Sequence, residues 1–492
     1  MGGLVATEAT GLRYSVRPGV LVKYFGQLCL MLALLTCVPL VVSLVSGALA
    51  IALRYAVVIG FLGALGWLLS RKSAANRLQV NEAMVLAGGM FLLAPLLMTF
   101  PVMGAGLAFG DALFETISGA TTTGLSTLAS VEGRPFSFLF ARSWMQWYGG
   151  LGIVVFSLAL VVQPGLVAKD LAMGSSNDED GLIGGTRAFA RKILNIYLLL
   201  TGLGVVLLLL CGTGAGDAIL YTMSAVSTGG FAPHDASLGG LGGTIRPAAV
   251  TLICVACSIS LPVYLYLGRR KLKDFLEDIQ LRGLLVLGGL WVAALTAALV
   301  VSGGMDTREA FFHGPVMAFS AQTTSGFATT DPGAMDPLSK VLLIMSMAVG
   351  GGVGSTAGGV KILRLLIVLR MVHVLIVRTS LPRHAVYNPR IGKRALVEEE
   401  FRIAAVIILL YVLAAFLSWL PFVMLGYQPL DALFEVVSAL GTVGLSSGVT
   451  APDLPGVLKG VLCVDMLLGR LEIVAWLVIA YPRTWIGRRL EG

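Results

Sequence analysis

Charge is what this chain has least of. Of its 492 residues only 13% are Asp, Glu, Lys or Arg, while 57% are hydrophobic, and the mean hydropathy is +0.88. A soluble domain of that size needs far more polar surface, so the composition excludes one and indicates a polytopic membrane protein. Histidines number four and are scattered, which leaves no histidine cluster for catalysis or metal binding. The six cysteines (Cys29, Cys37, Cys211, Cys254, Cys257, Cys463) all lie in apolar runs, so no disulfide framework is expected. Cys254 and Cys257 have redox or metal-site spacing, but with no histidine or second pair nearby they read as small packing residues. A cleaved leader is not expected either, because the first apolar run begins near Tyr24, is too long, and is followed by many others. Ala6 stands where a myristoylation signal wants Ser or Thr, so no lipid anchor is read.

What is present is apolar length. A bilayer core needs roughly 20 apolar residues per helix, and the sequence supplies about ten such stretches. The net charge of +8 is not a nucleic-acid signal, because its distribution follows the membrane. With both termini cytoplasmic, segments 1–23, 71–82, 165–192, 268–282, 370–402 and 482–492 hold 25 of the 35 Lys and Arg. The opposite face holds seven basic and twelve acidic residues. The positive-inside rule therefore sets the orientation, and the outer face draws cations.

Two apolar helices come first, near 24–48 and 50–70. Beyond residue 80 a pattern recurs: long helix, half-length helix, a Thr/Ser/Gly stretch, long helix. The short elements read DALFETISGATTTGLST (111–127), DAILYTMSAVSTGGFAP (217–233), HGPVMAFSAQTTSGFAT (313–329) and DALFEVVSALGTVGLSS (431–447). Aligning Ser118, Ser224, Ser320 and Ser438 puts Gly124, Gly230, Gly326 and Gly444 at one position. Repeats spaced by roughly a hundred residues indicate one supersecondary unit used four times.

The short apolar helices, seven to ten residues each by this reading, cannot cross a bilayer. Nonhelical backbone at membrane depth must be buried in protein or line a water-filled path. Four such segments satisfy that rule by surrounding one axis, each helix C-terminus favouring a cation there. Glycine at the aligned position permits the backbone angles and lets an ion approach, while Thr and Ser ahead of it tolerate extended backbone and add hydroxyl oxygens. Rings of such oxygens replace the hydration shell of a monovalent cation. No ring of Asp or Glu lies in the Thr/Ser/Gly runs themselves, which argues against a divalent-cation pore. Ordinary extracellular turns explain one Thr/Ser/Gly run easily, four in register poorly.

These four stretches resemble the selectivity filters of the Trk/Ktr/HKT superfamily of potassium transporters. RSWMQWYGGLGIVVF (142–156), GGGVGSTAGGVKILR (350–364) and LLGRLEIVAWL (467–477) are similar to further signatures of that family. The resemblance covers residues 80–480, and the N-terminal helix pair looks like the extra domain of the TrkH/TrkG branch. It implies an all-α polytopic membrane protein with four fused membrane–pore–membrane repeats around a pseudo-fourfold pore. The implied domains are an N-terminal pair (1–75) and repeats over 76–165, 166–270, 271–375 and 376–492, the third carrying a Gly-rich intramembrane loop. Carried over by position, the potassium filter is Thr121, Thr122, Thr123 and Gly124; Ser227, Thr228, Gly229 and Gly230; Thr323, Thr324, Ser325 and Gly326; and Gly441, Thr442, Val443 and Gly444. The ion is expected on the carbonyls of the two residues before each aligned glycine. In plant members a Ser in place of the first filter glycine goes with sodium transport, so Gly124 implies potassium preference. The fourth stretch departs from the pattern, with Gly441 and Val443 where the others have mostly hydroxyl residues.

Residues 350–361 contain six glycines (Gly350, Gly351, Gly352, Gly354, Gly358, Gly359) and end on Lys361. Glycine holds helices poorly, so the helix is expected to break there into an intramembrane loop; close helix packing through small residues is the alternative. A phosphate-loop reading fails for want of Gly-Lys-Ser/Thr. The resemblance implies a gate beneath the filter, with Lys361 repelling ions or anchoring the loop. Arg470 lies in an apolar run near Asp465 and Glu472, where a charge is expensive. Two readings stand: a positive barrier below the filter, as the family implies, or an ion pair to another helix. Arg142, Gln146 and Trp147 read as an interfacial structural cluster, and Asp111 and Asp431 as caps of the helices they open.

The resemblance implies potassium uptake across a bacterial inner membrane through a gated pore, with K+ as substrate and no organic cofactor. It also implies a homodimer and a cytosolic, nucleotide-binding RCK-type regulatory partner. The basic segments 268–282 and 370–402 are candidates for that contact, or serve as orientation signals touching anionic lipid. A cation-coupled symporter (K+ with H+ or Na+) is the second reading; it predicts inverted repeats, which these are not. A membrane enzyme would need convergent His, Asp or Cys residues, which the sequence does not supply.

Overall fold

The computed structural model describes residues 15–73, 78–161, 182–268, 271–382, 384, 389–392 and 394–487. Ala6, residues 165–181 of one basic segment, parts of the other basic segments, and the expected domain junctions near 75, 165 and 270 lie outside the described residues. The regular structure of the described chain is helical apart from two ladders of two residues per strand, Val349–Gly350 with Val360–Lys361 (parallel) and Arg390–Ile391 with Arg394–Ala395 (antiparallel). It divides into two compact units.

The first unit holds residues up to Thr116, Pro135–Phe140 and the chain from Leu471 onward. Its helices Pro18–Val45 and Leu49–Ser70 form a hairpin through Gly47, whose φ of +74° suits the turn. Their backbones touch at Gly26 and Gly66: a Cβ on Gly66 would lie 2.8 Å from the Gly26 carbonyl. Small residues at such a crossing replace the hydrophobic driving force that lipid removes. Arg17 bonds Glu82 through Nε at 2.8 Å and Nη2 at 2.9 Å, and Gln79 N–H donates to the same carboxylate at 2.9 Å, tying the hairpin to the start of helix Val80–Val102.

The second unit spans Ile117–Arg134 and Ala141–Arg470. Long helices Leu182–Leu210, Ile279–Val301 and Glu398–Met424 alternate in sequence with short ones, Ala215–Val226, Thr307–Gln322 and Pro429–Leu440. A fourth short helix, Phe109–Ala120, ends in this unit. The short helices run to 12, 12, 16 and 12 residues, longer than the seven to ten read from sequence, because each includes polar residues of its first turn. Twelve residues rise about 18 Å, still well short of a bilayer core. A buried cluster including Leu295, Met317, Leu343, Met347, Phe434 and Val443 packs helices Ile279–Val301, Thr307–Gln322, Pro337–Ala348 and Pro429–Leu440 around the fourth Thr/Gly stretch.

Among the described residues, six helices are long and apolar enough to cross a membrane. That is fewer than the ten stretches counted from sequence, in part because three of the four helices that follow the Thr/Ser/Gly stretches are broken. Ile245–Ser258 turns by 87° into Leu261–Gly268. Pro337–Ala348 stops and helix resumes only at Ile362. Gly456–Leu471 is separated from Ile473–Ala480 by Glu472, whose φ is +62°. The first of these breaks removes the Cys254/Cys257 pair from mid-helix to a helix end; both thiols are buried and free.

Candidate functional site

Each of the four short helices ends in the same hydrogen-bonded motif. In the first, Thr122 N–H donates to Gly119 O at 3.0 Å and Thr123 N–H to Ser118 O at 2.9 Å. The same pair recurs as Thr228→Ala225 and Gly229→Ser224, Thr324→Ala321 and Ser325→Ser320, and Thr442→Ala439 and Val443→Ser438. This is a Schellman cap, which needs a left-handed residue just past the helix, usually glycine. Here threonine fills it four times: φ is +53° at Thr122, +52° at Thr228, +54° at Thr324 and +48° at Thr442. For a β-branched residue this conformation is an outlier costing about 1–2 kcal/mol, so the surroundings must hold it. The sequence reading expected these threonines extended; they are not. Two residues on, Gly124, Gly230, Gly326 and Gly444 return to positive φ, between +69° and +99°. There only glycine is free of strain.

The four glycines meet in a ring. A Cβ on Gly124 would collide with the carbonyl of Gly229, one on Gly230 with that of Ser325, one on Gly326 with that of Val443, and one on Gly444 with that of Thr123. Each segment thus touches the next and the fourth returns to the first, which closes the cycle. Every Thr, Ser and Val side chain of the four segments is buried, and the Thr122 and Thr442 hydroxyls have no partner among the described residues. A closed set of backbone carbonyls and orphan hydroxyls with no acidic side chain suits a weakly hydrated monovalent cation.

The Gly-rich stretch lies against this ring. Gly358 N–H donates to Thr324 Oγ1 at 2.7 Å, and a Cβ on Gly358 would strike the Gly441 carbonyl and the Thr442 hydroxyl. Gly354 and Gly359 have φ of +77° and +62°. A Cβ on Gly350 would overlap the Gly358 carbonyl, and one on Gly351 would approach Ser258 O, so neither position takes a side chain. Gly352 N–H donates to Ser258 O at 2.9 Å and Val353 N–H to Gln280 Oε1 at 2.8 Å, which pins the loop at its far side. Thr356 Oγ1 donates to Val226 O at 3.1 Å and Cys257 O at 3.2 Å. Lys361 Nζ donates to Ala357 O within the loop, an anchoring contact.

Arg470 engages backbone instead of a carboxylate. Its Nη1 donates to Thr356 O at 2.9 Å and Nη2 to Gly149 O at 3.2 Å, and the residue is buried. Asp465 accepts from Ser418 Oγ at 2.6 Å instead. The ion-pair reading of Arg470 is therefore replaced by one in which it ties the loop to the helix Phe136–Val161. Asp431 is likewise no cap: it lies in the first turn and accepts from Lys340 Nζ at 2.7 Å. Arg142, Gln146 and Trp147 are not interfacial. All three are buried, with the Arg142 guanidinium 3.8 Å over the Phe231 ring and Gln146 bonded to the second segment. Sequence reasoning also missed Glu435, which is fully buried in the fourth short helix. It accepts from Ser446 Oγ at 2.6 Å, Ser447 N at 2.7 Å and Thr450 Oγ1 at 2.6 Å, all just beyond Gly444. Its only sequence signal was the repeated DALFE, whose Asp drew the attention.

Apolar spans, broken helices and a ring of main-chain oxygens define a polytopic membrane transport protein. The TrkH family, described as cation transport protein, matches residues 48–485, and the chain belongs to it. The chain is 33% identical to the Trk system potassium uptake protein TrkH of Escherichia coli over 77% of this chain and 80% of that one. It is 31% identical to an uncharacterized cation transporter of Methanocaldococcus jannaschii, over 85% of this chain and 86% of that protein. Its fold is similar to that of the potassium transporter TrkH from Vibrio parahaemolyticus, with a TM-score of 0.84 and 24% identity, over 96% of this chain and 100% of that one. A transport family, not an enzyme family, accounts for the chain.

Proposed function

We propose that this protein takes up potassium across a bacterial inner membrane through a gated, channel-like pore. The pore is made of four fused membrane–pore–membrane repeats, over 76–165, 166–270, 271–375 and 376–492, with pseudo-fourfold symmetry and an added N-terminal helix pair. The ring of Gly124, Gly230, Gly326 and Gly444 is the observation that carries this reading. K+ is the substrate and sheds its water onto the carbonyls of the two residues before each glycine. The membrane potential drives it inward with roughly 2.3 kcal/mol per charge per 100 mV. The names of the similar proteins, Trk system potassium uptake protein and potassium transporter, support potassium over other monovalent cations.

The loop at 350–361 closes the path. Its Gly358 sits on Thr324 and Thr442, and Arg470 adds a positive charge while holding the loop through Thr356. Release of these bonds opens it. A homodimer whose gate is set by a cytosolic RCK-type nucleotide-binding partner completes the proposal, with basic segments 268–282 and 370–402 as contact surface. Reversal potentials in proteoliposomes under opposed K+ and Na+ gradients test the reading. A potential that follows the K+ gradient alone supports it; one that tracks H+ or Na+ in a fixed ratio replaces the channel with coupled symport.

A further inference from the structure

The four segments are alike in backbone but not in what holds them. At the first and third positions of segment 1, the hydroxyls of Thr121 and Thr123 bond each other at 2.8 Å. In segment 3, Thr323 Oγ1 donates to Ser325 Oγ at 3.1 Å. Segment 2 has Ser227 at the first position and nothing at the third, where Gly229 stands. Its φ lies outside the left-handed region, so the backbone itself would take a side chain there. The space is filled from elsewhere: a Cβ on Gly229 would come within 2.6 Å of Gln146 Oε1 and 2.8 Å of Gln146 Nε2. Gln146, fully buried on the helix Phe136–Val161, donates through Nε2 to Gly229 O and accepts from Phe231 N–H at 3.1 Å. Its carboxamide therefore grips the chain on both sides of Gly230. The serine that accepts the glycine N–H in segments 1 and 4 (Gly124 N–H to Ser118 Oγ, Gly444 N–H to Ser438 Oγ, both 3.0 Å) is diverted in segment 2, where Ser224 Oγ donates to Ser143 Oγ at 3.2 Å.

We propose that Gln146 is a positioning and specificity-determining residue for the second filter segment, standing in for the third-position side chain that Gly229 lacks. The inference rests on the filter reading above. A carbonyl oxygen has two lone pairs, so Gly229 O gives one to Gln146 Nε2 and keeps one for the ion. The amide thereby sets both the direction of that oxygen and how strongly it draws a cation. Removing the amide leaves Gly229 O and Phe231 N–H buried without this partner, and segment 2 loosens where ion size is read.

The test is the K+ to Na+ permeability ratio, from reversal potentials of full-length protein in liposomes, with folding checked by gel filtration. Gln146→Met keeps the bulk and removes both bonds; it is expected to lower the ratio about tenfold. The double variant Gln146→Ala with Gly229→Thr vacates the space and refills it from segment 2 itself, giving Ser227 the hydroxyl partner found in segments 1 and 3. It is expected to recover the ratio to within about threefold of the parent. A general packing role for Gln146 would not be rescued by a residue on another element. Gln146→Met with an unchanged ratio overturns the proposal, as does a double variant that misfolds or folds without selectivity. If Gln146→Met itself fails to fold, the double variant decides by the same two outcomes. Gly124→Ser, in segment 1, separates this inference from the filter reading. If it alone shifts the ratio, Gln146 is not a determinant; if no variant shifts it, the filter reading fails.

Discussion

Segments 1 and 3 hold themselves; segments 2 and 4 are held. In the first pair, neighbouring hydroxyls within the segment bond across the left-handed threonine. In segment 2 the buttress is Gln146, from the helix Phe136–Val161. In segment 4 the two positions are Gly441 and Val443, which cannot hydrogen-bond through side chains. There a Cβ on Gly441 would sit 3.1 Å from Val443 Cγ2, and the support comes from Glu435 beneath the chain that follows Gly444. One backbone shape is thus accompanied by a hydroxyl pair within two segments, by an amide from another helix in the second, and by a carboxylate on its own short helix in the fourth. The ring requires the same backbone shape of all four segments, whereas the side chains that support it differ from one segment to the next.

That contrast is breakable at several points. The largest effect is expected at Glu435, where Glu435→Ala strands donors from Ser446, Ser447 and Thr450 in a buried site. A loss of about 3 kcal/mol in stability, read by thermal unfolding in detergent, is expected; a loss under about 1 kcal/mol would mean that segment 4 supports itself. Gly326→Ala comes next, because its Cβ would overlap the Val443 carbonyl at a φ of +69°. Rubidium uptake should fall about 100-fold, the equivalent of roughly 2.7 kcal/mol. Uptake near the parent level would show that the ring can widen at no cost.

Arg470→Ala sharpens a second difference, since the loop it holds bonds segment 3 through Thr324 and crowds segment 4 at Thr442. Uptake by folded variant should rise severalfold as loop and charge barrier are released together, on the order of 1 kcal/mol. Unchanged or lower uptake would contradict the gating role. A smaller contrast compares hydroxyls: Thr323→Val should cost about 1 kcal/mol in stability, and Ser227→Ala, whose hydroxyl has no third-position partner, under about half that. Equal costs would erase the distinction between self-held and remotely held segments.

The smallest effect is one of pH. Asp235 follows segment 2 and accepts from Ser130 Oγ at 2.6 Å and Val131 N at 2.7 Å, which follow segment 1. Desolvation pushes its carboxyl up, but these hydrogen bonds and the Arg142 charge outweigh it and hold it below the ordinary carboxylate value. A depressed folded-state pKa stabilises above the unfolded value, about 3.9, and that contribution is lost as pH falls through the lower folded-state value. Acid unfolding of Asp235→Asn should therefore be shallower than that of the parent below about pH 4. Parallel curves would show that the tie is not maintained in solution.

The parts legible in the sequence were those written four times. The short helices, the aligned glycines and their meeting at one place followed from the register of Ser118, Ser224, Ser320 and Ser438. The break after Ala348 followed from six glycines in twelve residues. What was not legible depended on partners distant in the chain. Nothing local in a threonine asks for a left-handed backbone; Thr122 and its counterparts adopt it because the cap bonds and the ring demand it. Gln146 and Gly229 are 83 residues apart, so the amide looked like one more polar residue at a helix end. Arg470 drew the eye toward Asp465 and Glu472 because they are near in sequence, whereas its partners, Thr356 and Gly149, are 114 and 321 residues away. The bend after Ser258 carried only a weak signal in Ser260 and Pro262.

The most direct measurement of the central claim is anomalous diffraction from crystals of the protein grown in rubidium. The account predicts a peak encircled by Gly124, Gly230, Gly326 and Gly444, within about 3 Å of main-chain oxygens from all four segments. Rubidium found only at surface carboxylates, with nothing inside the ring, would contradict it.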